Sequence, residues 1–102
     1  MMLSFSAPVI YWRGPAPFHY ARLPPQPAAE IARVKRVASY GWGAIPVTAT
    51  IDGVSFTTSL FPRDGTYLLP LKAAVRHELG VTVDDVVEVA MTIGGGLREP
   101  GL

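Results

Sequence analysis

The sequence predicts a mainly β fold, a small, partly open barrel of about six strands with two short helices covering its ends. Three observations predict it. The runs Ile45–Ile51 and Val86–Ile93 alternate side chains with the period of a half-buried strand. Asp52-Gly53 stands between two strand-like runs and is a hairpin signal, because both turn residues must reach positive φ. Ten Pro and ten Gly in 102 residues demand many turns and few long helices.

Phe5 to Trp12 reads as the first strand, with Val9 and Tyr11 on one face and Ile10 and Trp12 on the other. Pro8 marks an edge position or a bulge in it. Gly14 to Pro17 turns the chain, and Phe18 to Leu23 returns as a second strand. Pro24, Pro25 and Pro27 end that strand, and proline suits the first turn of a helix. Ala28 to Val37 is then helical, with Ala28, Ile31, Ala32 and Val34 or Lys35 deciding the buried face and Arg33, Lys35 and Arg36 near the negative end of the helix dipole. Residues 39–43 form a loop.

Ile45, Val47, Ala49 and Ile51 share one face of the third strand. Val54 to Phe61 is its hairpin partner, with Val54, Phe56, Thr58 and Leu60 on one side. A polar loop, Arg63-Asp64-Gly65, leads to a short strand, Thr66 to Leu69. Leu71 to Leu79 is a helix with Leu71, Val75 and Leu79 aligned, and Gly80 is its left-handed cap. Residues 81–85 turn, and the last strand buries Val87, Val89, Met91 and Ile93. The domain is thus 1–93, and a Gly-rich tail, 94–102, is expected to be mobile. Each helix follows a Leu-Pro pair, Leu23-Pro24 and Leu69-Pro70, a thin hint of two similar halves.

Composition bounds the function. An apolar content of 49% suits one folded domain. The absence of Cys excludes disulfides and thiolate chemistry and fits a reducing cytoplasm, here of bacterial type. No apolar run spans a bilayer, and Met1 to Pro8 lacks the order of a signal peptide. A net charge of +1 falls short of the basic excess usual in nucleic-acid binders, so nucleic acid is a disfavoured partner.

Several short motifs resemble the family named domain of unknown function 1905. They are Trp12-Arg13-Gly14-Pro15, Leu23-Pro24, Trp42-Gly43, Thr58-Ser59-Leu60-Phe61-Pro62, Tyr67-Leu68-Leu69-Pro70, Lys72 and Val75-Arg76. Together they cover most of the chain. The resemblance implies a double-split β-barrel, similar in shape to AbrB-like swapped-hairpin transcription factors, and no established activity. From Tyr67 to Ile93 the element order is also that of such a factor. Asp84-Asp85 replaces the usual Gly-Asp there, so Asp84 is expected to resist the backbone shape that Gly allows, and its charge repels phosphate.

Lys72 and Arg76 lie one helical turn apart. Thr58 and Ser59 approach them if the strand runs beside the helix, and two cations with two hydroxyls could hold a carboxylate or phosphate. The resemblance places Thr58, Ser59, Tyr67, Lys72 and Arg76 in one group, with Arg13 and Trp42 as contributors. The structural alternative pairs Arg76 with Asp64 and bonds the hydroxyls to the sheet. The cluster Arg22, Arg33, Lys35 and Arg36 reads either as a phosphate-facing patch or as a solvated helix face. His19 could belong to a pocket with Trp12 and Arg13, whereas His77 reads as surface. Neither His has ligands at metal spacing, no phosphate-binding Gly-rich loop is present, and no cofactor or catalytic residue is assigned.

The reading is a binding module for an anionic small molecule or a peptide group. A nucleic-acid-associated regulator is the second, and an enzyme of unknown reaction the third. A protein partner fits as well, as do a monomer and a homodimer paired through a sheet edge.

Overall fold

A computed structural model of the chain describes residues 2–13, 18–38 and 45–93, with the backbone alone for 34–38. The elements follow the order β1 (Met2–Trp12), β2 (Phe18–Arg22), α1 (Pro25–Ala38), β3 (Ile45–Ile51), β4 (Val54–Arg63), β5 (Thr66–Pro70), α2 (Ala73–Leu79) and β6 (Val86–Ile93). The six strands close into an antiparallel barrel in the ring order β1-β2-β5-β4-β3-β6. Closure corrects the expectation of a partly open barrel, and with it the expectation of an edge strand left for a second copy. No helix of the described residues is long and apolar enough to cross a membrane.

Closure rests on two long strands that each serve two partners. Met2 to Pro8 of β1 pairs with β6, and Val9 to Trp12 pairs with β2. β4 does the same, with Val54 to Leu60 on β3 and Phe61 to Arg63 on β5. This is the double split that the family resemblance implies. Pro8 has no N–H to donate and occupies the last rung before β1 changes partner. The next residue, Val9, is held by the turn before β6: its N–H donates to Asp85 O at 2.8 Å, and its carbonyl accepts from Asp84 N at 2.9 Å.

The ring order is unchanged when β1, β2 and β3 are exchanged for β4, β5 and β6, and the register agrees. Ala21 pairs with Leu69, while Leu23 N donates to the Tyr67 carbonyl at 3.1 Å, as a two-fold axis between β2 and β5 requires. Val47 faces Ile93 and Ile51 faces Val89 across β3 and β6 in the same way. The two Leu-Pro pairs therefore occupy equivalent corners.

Inside the barrel the expected faces are buried: Ile45, Val47, Ala49 and Ile51 of β3, and Val87, Val89, Met91 and Ile93 of β6. Leu23, Leu69 and Leu71 join them, and α1 adds Ala28 and Ile31. Ala32, expected on this buried face, points outward. α1 begins at Pro25, three residues before Ala28, since proline belongs in a first helical turn. α2 begins at Ala73 and not Leu71, because Leu71 N still donates to His19 O and so extends the sheet. Gly80 caps α2 in the left-handed conformation at φ 68, as expected.

β4 does not end before Pro62. It runs to Arg63, and Pro62 sits opposite Tyr67. Asp64-Gly65, expected within a loop, is a second two-residue hairpin turn with φ values of 50 and 80, matching Asp52-Gly53 at 50 and 83. Asp84 also departs from expectation. It adopts φ 75, because aspartate tolerates the left-handed region better than most residues with a Cβ. Residues 39–44, with Trp42, and the tail 94–102 lie outside the described residues.

Candidate functional site

The ends of β1 and β2 and the start of α2 meet at one corner of the barrel. Tyr11 and His19 are cross-strand partners, and their rings lie 4.8 Å apart between centroids at a tilt of 55°. Both share an open cleft of about 670 Å3 with Arg13, Ile10, Val83 and Asp84. Leu71 ties α2 to this corner: its N–H donates to His19 O at 2.9 Å, and its own carbonyl accepts from Arg76 Nε at 3.2 Å. That tether fixes the Arg76 guanidinium close to His19. Desolvation, followed by the Arg76 charge, holds the His19 imidazole below its ordinary pKa.

Among the described residues no carboxylate lies within ion-pair distance of Arg13, Lys72 or Arg76. Arg76 thus takes a backbone partner, not Asp64, and its terminal nitrogens make no hydrogen bond among those residues. Lys72 is exposed at the N-cap of α2, where its carbonyl accepts from Arg76 N at 3.0 Å. The acidic group of the cleft is Asp84, whose backbone N–H donates to the Val9 carbonyl.

The other expected residues fall elsewhere. α2 does pack against β4, but Thr58 and Ser59 are adjacent in that strand and point to opposite faces. A ligand on one face meets one of the two hydroxyls. Tyr67 is 6% exposed, and burial raises its phenol pKa. It lines a groove of about 530 Å3 between α1 and the β4–β5 hairpin, together with Ala28, Ala32 and Pro62. That groove shares no lining residue with the Arg13 cleft. Trp42 lies outside the described residues, as do the side chains of Lys35 and Arg36. Arg33 pairs with Glu30 on its own helix, and Arg22 sits at the end of β2.

A third cavity, of about 360 Å3, opens on the outer face of the β2–β5 sheet. Trp12, Tyr20, Phe61, Arg63 and Leu68 line it with Pro62, and the Arg63 guanidinium stacks 3.8 Å from the centroid of the Trp12 ring. Sequence reasoning does not single out Arg63. The signal that could find it is the alternation along β4, which puts Phe61 and Arg63 on one face once the strand is carried through Pro62.

No group of three metal-ligating side chains occurs among the described residues. No curated protein matches the chain. A family model described as "Domain of unknown function (DUF1905)" matches residues 5–91.

Proposed function

The chain belongs to this domain-of-unknown-function family, DUF1905, and from that premise we propose that it is a small binding module for an anionic group. The group would enter the corner formed by Arg13, His19, Lys72 and Arg76. Three members, Arg13, Lys72 and Arg76, come from the residues singled out in the sequence, and His19 is added. Thr58, Ser59 and Tyr67 are read as parts of the barrel.

One observation carries the proposal. Arg76 is oriented by a backbone carbonyl through Nε, so its fork is positioned without being neutralised. A pre-positioned guanidinium loses little freedom on binding a carboxylate or phosphate, and it offers paired N–H donors. His19 adds a ring nitrogen close by. Arg13 lines the cleft with His19 and adds charge there, and Asp84 is the acidic group that an anion would have to avoid.

Native mass spectrometry of gently purified protein tests this reading. The expected result is a reproducible added mass that disappears in Arg76→Ala while the circular dichroism spectrum stays unchanged. A bare mass for the parent protein, or an adduct that survives the substitution, would overturn it.

A further inference from the structure

The outer face of the sheet formed by β2, β5 and the ends of β1 and β4 carries side chains that the barrel does not need. Alternation places Trp12, Phe18 and Tyr20 on this face, with Phe61 and Arg63 from the far side of the sheet. The Phe18 and Tyr20 rings lie 5.5 Å apart, and Phe61 is 47% exposed. Leu68 is 4% exposed yet stands apart from the barrel core. It is the floor of the outer cavity, beneath the aromatic side chains. The Arg63–Trp12 stack links β4 to β1, strands that are not neighbours, and so crosses the two strands between them.

The pseudo-two-fold separates function from folding here. The register that superposes Ala21 on Tyr67 and Leu23 on Leu69 makes Thr66 the counterpart of Tyr20 and Arg63 the counterpart of Ile10, so β1 runs on to Trp12 where β4 has already turned. The other half builds this corner with a threonine and a tight turn. The tryptophan and tyrosine are therefore not demanded by the fold.

We infer that this face binds single-stranded nucleic acid. A nucleobase has a flat π-face that stacks on Trp, Tyr or Phe whatever its sequence, and the cavity volume lies at the lower end of small-ligand sites, ~300 Å3 upward. Arg22 flanks the face on β2 and Arg63 lies across it, so each can meet a phosphate while an aromatic ring holds a base. None of the residues lining this cavity is acidic, and the positions of β2 and β5 that share the face with Tyr20 and Leu68 are not acidic either. The nearest acid along the chain is Asp64, at the hairpin tip beside Arg63. Arginine interleaved with aromatic rings, without carboxylates, suits a polyanion with planar bases. Duplex DNA hides those bases, so the single strand is the form that fits.

Fluorescence anisotropy with labelled oligo-uridine and oligo-thymidine tests the inference on the full chain. At low salt the expected result is binding of the single strands in preference to a duplex of equal length. Phe61→Ala, at an exposed position, is expected to weaken it roughly tenfold. Arg63→Gln is expected to weaken it and to reduce the salt slope by about one. Arg33→Gln removes the same charge from α1 and is expected to leave affinity unchanged. Absence of binding by folded protein would overturn the inference. So would equal affinity for duplex, indifference to Phe61→Ala, or an equal loss in Arg33→Gln, which would mark plain charge attraction.

Discussion

His19 connects the chemistry of the corner to a titration. Its pKa is lowered from 6.5 by desolvation and then by Arg76. A depressed imidazole pKa means that the unfolded chain takes up this proton first. The stability tied to neutral His19 is therefore complete above 6.5 and is lost as pH falls through the folded value. NMR titration of the imidazole C–H resonances is expected to give a midpoint below 6.5, and Arg76→Gln is expected to raise it part of the way back. Only part returns, because desolvation is the larger cause. A midpoint unmoved by Arg76→Gln would separate the two groups and remove the basis for the corner. None of this proximity was legible in the chain. His19 and Arg76 meet through the Leu71 backbone, and a main-chain hydrogen bond leaves no mark on residue type. The opposite holds for Asp84, whose place in the sequence suggests strain where the backbone accepts an aspartate at φ 75.

At the scale of elements, the sequence is most informative where a physical rule acts locally. β3 and β6 match their expected bounds, because alternation over seven and eight residues reports one buried face directly. Bounds slip at prolines. Pro25 reads as an ending and begins a helix; Pro62 reads as a stop and lies within a strand, at a rung where its missing donor is tolerated. The two Asp-Gly turns are the strongest local determinants of register. In both, Gly sits at φ of 80 or above with open space where a Cβ would stand, so a side chain would meet no clash and only conformational cost. Gly53→Ala and Gly65→Ala are each expected to destabilise the fold by about 1–2 kcal/mol, measured by urea denaturation. The Trp12 to Arg63 face was legible only in parts. Each aromatic could be seen, but which side of the barrel it faced depended on how far β4 ran beyond Phe61.

Taken whole, the described residues form a single core enclosed by a closed ring of strands. Leu23 and Leu69 hold equivalent corners of that ring and are almost wholly buried. Truncation of either to Ala opens a cavity in the one core, and each is expected to cost about 2–5 kcal/mol in denaturant unfolding. A large difference between the two would show that the halves do not share the load as the register implies. The repeat itself was nearly invisible in the sequence. Barrel positions require only an apolar residue of suitable size, so Val47 and Val89 agree while Ala49 and Met91 do not. The exchange of halves has the symmetry that a homodimer would have, with Asp52-Gly53 joining the two halves in one chain. A true dimer must alter both copies of a surface together. A single chain is free of that constraint, and here one half carries its strand on to a tryptophan where the other has already turned.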